Sequence, residues 1–179
     1  MAALLTLSFV AAGTLVVSGA AKWRSPHVAD EALRSAGLPG GPTVVRAIGV
    51  VEIVAGVWHL AAPSQASSLA LAVLYVGLAA FVVRLLTAGT ASRSCGCFGR
   101  AEAPPSWLHV GVDLSAAGCA LAVIGAGHHV QGVVRSIGGL GVAPGVGFAI
   151  GLAAAVYVLV AMVELLPSAF GSFRREARG

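Results

Sequence analysis

The chain has 179 residues, of which 58% are hydrophobic and only 10% are charged. Soluble globular domains are closer to half apolar and a quarter charged, so this composition excludes an ordinary soluble domain and favours a membrane protein. The formal net charge of +4 gives no reason to expect nucleic-acid binding, because the basic residues lack a recognition motif and an aromatic platform. The sequence also lacks a nucleophile elbow, a phosphate-binding loop and a zinc-protease motif.

Five apolar runs divide the chain, and each has about the 20 residues needed to cross a hydrocarbon core of about 30 Å. The runs are Ala2 to Ala21, Thr43 to Ala62, Ala66 to Thr87, Trp107 to Ala126 and Val146 to Leu166. Because backbone in lipid must satisfy its own hydrogen bonds, we predict an all-α polytopic membrane helix bundle. No Lys or Arg precedes the first run, so we expect a retained helix and not a cleaved signal peptide.

The connections between the runs differ in length. The first, Lys22 to Pro42, is long enough for a short interfacial helix over Pro26 to Ala36, ended by the Gly- and Pro-rich residues that follow. We predict a Gly-rich outside segment over 128–144. Glycines inside the runs predict close backbone approach between helices: Gly49, Gly56, Gly77, Gly111 and Gly118.

Basic residues are concentrated at one end of the predicted bundle. Five crossings place ten of them on that side: Lys22, Arg24, Arg34, Arg46, Arg84, Arg93, Arg100, Arg174, Arg175 and Arg178. Only Arg135 falls on the other side. The positive-inside rule therefore predicts an outside N-terminus, with the C-terminus and the loop after the third run in the cytoplasm. The pI of about 9.5 fits this asymmetry and contact with anionic lipid head groups.

Two cysteines, Cys95 and Cys97, flank a single glycine in the short polar loop after the third run. Gly96 lets the backbone bend tightly there. A disulfide between the two thiols would close a very small ring with distorted dihedral angles, and such strain makes a bridge easier to reduce. Two other interpretations stay open, namely a Gly-rich turn without chemistry and a thiolate site for a soft metal such as Cu(I) or Zn.

Charged residues inside the runs are expected to face the bundle interior, because each is costly in lipid. Aligning antiparallel helices at about 1.5 Å per residue brings Arg46, Arg84 and Asp113 into one layer beneath the two thiols. We predict that these three side chains face one another. The cluster either stabilises helix packing alone or raises the thiolate fraction of the cysteines.

A deeper layer contains Glu52, Tyr75 and Cys119. We expect Glu52 to be neutral or hydrogen-bonded to a phenol such as Tyr75, because desolvation disfavours a charged carboxylate. Proton handling during redox chemistry, or a small-ligand pocket, follows as a hypothesis. Cys119 is expected to be a packing residue. His109 and Asp113, four residues apart, form a hydrogen-bonded pair or an incomplete metal site, and we predict no metal centre.

Three features of the chain resemble the methylamine-utilisation MauE family, in the DoxX-like group of small helical membrane proteins. They are Gly19-Ala20-Ala21-Lys22 at the end of the first helix, Glu52 in the second, and Cys95-Gly96-Cys97-Phe98-Gly99 after the third. The resemblance covers about Leu4 to Ala126 and implies a four-helix unit over 1–127. Residues 128–179 then add the Gly-rich loop, a fifth transmembrane helix and a basic tail to the same integrated domain. Helix four departs from the family, with His109-Val110-Gly111-Val112-Asp113 where an Arg-Asn pair is expected.

The resemblance implies a multi-pass protein of the bacterial plasma (inner) membrane that acts in thiol-disulfide maturation of exported proteins with a thioredoxin-like partner. On that implication Cys95 and Cys97 are the redox pair, and no cofactor beyond their disulfide is expected. The other candidate site residues support this pair: Arg46, Arg84, Asp113, Glu52 and Tyr75. Maturation of exported proteins needs thiols outside, whereas the charge rule places the loop inside. Either the loop receives electrons from cytoplasmic thiols or the charge rule fails here. Soft-metal handling, and a non-catalytic subunit of a larger membrane complex, are the alternative functions.

Overall fold

A computed structural model of the protein describes residues 2–88, 96, 104–125, 139 and 142–176. This part of the chain forms helices and no strand, with the bounds α1 (Ala2–Arg24), α2 (Pro26–Ser35), α3 (Pro42–Ala61), α4 (Gln65–Thr87), α5 (Trp107–Gly125) and α6 (Val142–Glu176). All except α2 contain a stretch long and apolar enough to span a membrane, and in α6 that stretch is Gly145–Val163. The prediction of an all-α polytopic bundle with five spans is confirmed. Helix α6 extends past both ends of the predicted fifth run.

The short helix α2 lies in the first connection, as predicted, and ends one residue early at Ser35. Its last turn closes when the N–H of Gly37 donates to the Arg34 carbonyl at 2.9 Å and the N–H of Leu38 donates to the Leu33 carbonyl at 3.0 Å. This pair of bonds is the Schellman arrangement that stops a helix. Helix α2 is therefore a separate element that the chain can fold back over the bundle.

Three contacts fix α2 and the turn after it against their neighbours. The Nε of Arg84 at the end of α4 donates to the Ala36 carbonyl at 2.6 Å, and Leu85 packs against Ala32 and Ala36. The Oδ1 of Asp30 accepts the N–H of Gly41 at 2.6 Å, just before α3 begins. A hydrogen bond from Arg34 holds the pKa of Asp30 below its ordinary value, with desolvation opposing the effect and the Gly41 N–H adding to it. Helix α2 thus links the ends of α3 and α4.

The five spans pack as two close pairs, α1 with α3 and α4 with α5. Helix α1 also contacts α5 and so joins the pairs, while α3 contacts α4. The central core contains small and branched residues from α1, α4 and α5: Ala11, Ala12, Leu15, Leu71, Ala72, Tyr75, Ala117 and Ala120. Helix α6 contacts α1 and α5 from outside, so the expected arrangement of four central spans with a fifth on their side is confirmed.

Glycines allow α1 and α3 to approach closely. A Cβ placed on Gly49 would lie 2.7 Å from the carbonyl oxygen of Gly19, and one placed on Gly56 would lie 2.6 Å from the Ala12 carbonyl oxygen. Real side chains do not tolerate such separations from backbone, so these positions require glycine for close packing. The prediction holds for Gly49 and Gly56, whereas a Cβ on Gly77, Gly111 or Gly118 would meet nothing within 4 Å.

The α3–α4 end of the bundle is closed by a buried histidine. The Nδ1 of His59 lies 3.2 Å from Ser67 Oγ on α4, and its Nε2 lies 3.3 Å from Ser8 Oγ on α1. Ser67 also forms a capping box with Ser64 at the start of α4. One imidazole therefore connects α1, α3 and α4 at the end of the bundle remote from α2.

We expect Gly49→Ala to destabilise the bundle, because the new methyl group would force α1 away from α3. Overpacking of this kind costs about 1–3 kcal/mol. The measurement is the thermal unfolding midpoint of the purified protein in detergent. Gly118→Ala is the matched control, since its Cβ enters open space. Equal midpoints for the two variants would contradict the close contact.

Candidate functional site

Two charged side chains of opposite sign, Lys22 on α1 and Glu52 on α3, are buried where those helices meet. Only 6% of Lys22 and 1% of Glu52 are exposed. The Nζ of Lys22 lies 2.9 Å from Oε1 and 2.8 Å from Oε2 of Glu52, and it also donates to Ser18 Oγ at 2.7 Å. The Ser18 hydroxyl donates to Glu52 Oε2 at 3.1 Å. The three residues therefore form a closed network, which we call the Lys22–Ser18–Glu52 network.

Local sequence places all three groups on the facing surfaces of the two helices. Ser18 and Lys22 are four residues apart and so lie on one side of α1. Gly19, between them, allows Glu52 to approach, because a Cβ at Gly19 would lie 3.2 Å from the Cβ of Glu52. A buried carboxylate and ammonium are stable together only when geometry and hydrogen bonding are good, and this network supplies both.

The Lys22–Ser18–Glu52 network lies beside a pocket between α1, α2, α3 and α4, which we call the α2–α4 pocket. Its volume is about 410 Å³. Apart from Lys22 and Glu52 its lining is apolar: Ala29, Leu33, Leu38, Val45, Ile48, Val73, Leu74, Gly77, Leu78 and Phe81. Val73 is 62% exposed, so the pocket opens on the outer surface of α4. The arrangement is an apolar crevice with one ion pair on its wall.

Gly96, the central residue of the Cys-Gly-Cys motif, is buried against α2. A Cβ placed on it would lie 2.6 Å from the Cα and 3.0 Å from the backbone N of Ala29. Its φ of +70° is the left-handed conformation that side chains other than glycine adopt with difficulty. Both facts require glycine at this position. Because Ala29 also lines the α2–α4 pocket, the centre of the motif lies beside that pocket.

A second, small cavity of about 30 Å³ lies between α1, α4, α5 and α6. Five polar side chains line it: Thr14, Ser18, Tyr75, His109 and Asp113. Its volume is enough for about two water molecules, and polar partners surround it on several sides. We call it the polar cavity. Ser18 belongs to both the polar cavity and the Lys22–Ser18–Glu52 network, so the two share one side chain.

The predicted cluster of Arg46, Arg84 and Asp113 does not form. Arg46 lies over the Trp23 ring, 5.9 Å from its centroid, and Arg84 donates to the Ala36 carbonyl. Asp113 lines the polar cavity on α5. The prediction is wrong because depth along a helix fixes only the level of a side chain. Asp113 lines a cavity together with Thr14 and Ser18 of α1, and neither Arg46 nor Arg84 lines that cavity.

The predicted bond between Glu52 and Tyr75 is also wrong. The Tyr75 hydroxyl donates to the Ala11 carbonyl at 2.7 Å, whereas Glu52 pairs with Lys22. Tyr75 and Cys119 do come together, since both line an open apolar groove of about 530 Å³ between α1, α4, α5 and α6. Cys119 is half-buried there as a free thiol. Alignment by level along the helix axes therefore grouped Tyr75 with Cys119, which do line one groove. The same alignment gave Glu52 the wrong partner.

His109 and Asp113 share the wall of the polar cavity, and His109 Nδ1 lies 2.8 Å from Ser106 Oγ. Within 2–88, 104–125 and the other described positions, no group of three or more His, Cys, Asp or Glu residues is placed to hold a metal ion. Cys95 and Cys97 lie outside the described residues, as do Arg93 and Arg100 and most of the predicted loop over 128–144.

Sequence reasoning missed Lys22 as a site residue, because its place after the first apolar run suggested a connection between helices. Two signals in the sequence point to its actual role. Ser18 and Lys22 share a helix face, and Glu52 is an acidic residue inside a span that needs a cationic partner. Together they favour a pairing between the first and second spans.

Comparison with protein families gives a match over most of the chain. The model of a family described as "Methylamine utilisation protein MauE" matches residues 1–128, which is more than two thirds of the chain. The matched range contains α1 to α5, with Lys22, Glu52 and the Cys-Gly-Cys motif. No curated protein and no solved structure matches the chain.

We expect Glu52→Gln to destabilise the protein strongly, because it leaves the Lys22 ammonium buried without a counter-charge. Removal of one partner of a buried pair costs about 3–5 kcal/mol. The double variant Lys22→Met, Glu52→Gln removes both charges and should recover most of the loss in thermal midpoint. Arg34→Met is the control, since it breaks the exposed pair with Asp30 and should change the midpoint little. A double variant as unstable as Glu52→Gln alone would contradict the pairing.

Proposed function

The chain belongs to the methylamine utilisation protein MauE family, and on that basis we propose that it is a membrane thiol-disulfide redox protein. Cys95 and Cys97 are the reacting pair in this proposal. The observation that carries it is the position of Gly96, which is buried against Ala29 of α2 in a conformation that requires glycine. Gly96 at the centre of the motif therefore packs on α2 beside the α2–α4 pocket, whose wall includes the buried ion pair.

The chemistry is a thiol-disulfide exchange with a partner protein that carries two thiols, such as a thioredoxin-like protein. A thiolate of the partner attacks the Cys95–Cys97 disulfide, which breaks that S–S bond and forms a mixed disulfide. The second thiolate of the partner then attacks the mixed disulfide. The partner leaves as a disulfide, and Cys95 and Cys97 hold the two electrons as a dithiol. Strain in the small ring favours this direction, because it makes the starting disulfide easier to reduce.

The polar groups inside the bundle have a supporting role in this proposal. Reduction of a disulfide to a dithiol takes up two protons, and oxidation releases them. The Lys22–Ser18–Glu52 network shares Ser18 with the polar cavity, which Tyr75, His109 and Asp113 also line. These groups are suited to move protons between the site and the membrane surface.

We expect Cys95→Ser and Cys97→Ser each to abolish disulfide transfer to a reduced thioredoxin-like partner, because each removes one half of the couple. Mixed with the oxidised partner, one of the two variants should accumulate a mixed disulfide, because its remaining thiolate attacks the partner's S–S bond and releases the partner's other sulfur as a thiolate. The product is visible as a band that reductant removes on non-reducing electrophoresis. Cys119→Ser is the control and should keep full transfer, because that thiol lines a groove on α5. Full transfer by the double variant Cys95→Ser, Cys97→Ser would reject the proposed function.

We also propose that the end of the bundle with α2 faces the cytoplasm. The distribution of basic residues supports this orientation, because the sequence assigns ten of them to this side and only Arg135 to the other. Nine still remain on this side when Lys22 is left out of the count because it pairs with Glu52. Trp23 beneath Arg46 fits the aromatic belt expected at a membrane surface.

Reporter fusions test this orientation. An alkaline phosphatase or fluorescent reporter inserted at Ser94 and one attached at Gly179 should both read as cytoplasmic. A reporter inserted at Pro63, in the turn between α3 and α4, should read as external. The opposite result at all three positions would reverse the orientation, and a mixed result would contradict the number of crossings.

A further inference from the structure

We propose that the α2–α4 pocket binds a neutral, bilayer-soluble quinone, which accepts the electrons of the reduced Cys95–Cys97 pair. The binding site itself is argued from the described residues of α1 to α4. Its use as an electron acceptor rests on the proposed function. The two parts therefore need separate measurements.

The size, lining and opening of the pocket fit a ligand that arrives through the membrane. A volume of about 410 Å³ is within the range of small-molecule sites, about 300–1,000 Å³. Leu33, Leu38 and Phe81 are among the apolar side chains of its wall. The opening lies at Val73 on the outer face of α4, and the apolar composition of that helix directs this face to lipid.

The ion pair on the wall decides the chemistry of the head group. The Lys22 ammonium donates to Ser18 and to both oxygens of Glu52, and the carboxylate neutralises its charge. A phosphate or carboxylate head group would face Glu52 without a cation of its own to bind, so an anionic lipid is disfavoured. Glu52 accepts three hydrogen bonds and is almost entirely buried, so the wall offers a ligand no free charge to bind. A neutral ring with carbonyl or hydroxyl groups is compatible with such a wall.

The position of the Cys-Gly-Cys motif connects the pocket to the thiols. Gly96 packs on Ala29, and Ala29 lines the pocket. In the proposed step the two thiols lose two electrons and two protons and form one S–S bond. The two carbonyl oxygens of the quinone gain those electrons and protons and become hydroxyls. The balance needs no other oxidant, and it returns the pair to the disulfide form that a reduced partner protein consumes.

Binding is tested by titration of the purified full-length protein in nanodiscs with decylubiquinone, followed by quenching of tryptophan fluorescence. We expect saturable binding to the unmodified protein and at least tenfold weaker binding to Gly77→Leu. The leucine fills the pocket, and its Cβ meets nothing within 4 Å, so the fold has room for it. Gly118→Leu is the matched control on α5, where a Cβ is equally unobstructed and the pocket is not involved. It should bind as tightly as the unmodified protein.

Val73→Phe, at the opening of the pocket, is a second variant that should also weaken binding. It replaces Gly77→Leu in the test if that variant lowers the folded yield. The proposed binding site would be overturned by the absence of saturable binding. Equal affinities of Gly77→Leu, Val73→Phe and Gly118→Leu for decylubiquinone would overturn it as well. Full displacement of decylubiquinone by equimolar oleate, with oleate binding lost in Gly77→Leu, would assign the pocket to a lipid chain and also overturn the proposal.

Electron transfer is measured apart from binding. The reduced protein should convert one decylubiquinone to quinol per Cys95–Cys97 pair, as followed by ultraviolet absorbance. The double variant Cys95→Ser, Cys97→Ser should bind decylubiquinone normally and reduce none. If the unmodified protein binds decylubiquinone but does not reduce it, the quinone is not the electron acceptor of the Cys95–Cys97 pair. The proposed function is decided separately, by disulfide transfer to the thioredoxin-like partner.

Discussion

The contact between α1 and α3 is the constraint on which the rest of the bundle depends. Gly19 and Gly49 bring the two backbones together, and at that contact Lys22 and Glu52 form a buried ion pair. In lipid no hydrophobic force drives helix association, so close packing and interhelical polar contacts supply it. The pair also fixes which faces of α1 and α3 meet, because any rotation that separates the charges leaves both of them in an apolar environment.

Among the described residues, buried polar side chains lie towards both ends of the bundle. The Lys22–Ser18–Glu52 network, the polar cavity and the α2–α4 pocket all lie in the half near α2. At the other end one buried imidazole, His59, satisfies hydroxyl groups of α1 and α4. Polar contacts therefore join α1 to α3 at both ends, through Lys22 with Glu52 and through Ser8 with His59.

Helix α2 shapes the end of the bundle at which it lies. It is too short to span a membrane, and Arg84 and Asp30 attach it to the ends of α4 and α3. By covering the gap between those spans it forms one wall of the α2–α4 pocket and provides, at Ala29, the surface on which Gly96 packs. A direct turn from α1 to α3 would leave the pocket open and the centre of the motif without a contact. The first connection therefore matters as much to the proposed chemistry as the spans do.

The sequence by itself determined the class of fold, the number of spans and the extent of α2. These properties depend on the length of apolar runs and on Pro and Gly residues at their ends, and both are local. It also marked the Cys-Gly-Cys motif and the buried carboxyl of Glu52. Only the tertiary structure decided which side chains meet. A helix of about 3.6 residues per turn can present a given residue to any neighbour, and depth along its axis does not fix that direction. For this reason Lys22 and not Tyr75 is the partner of Glu52, and Asp113 faces the polar cavity and not Arg46 and Arg84.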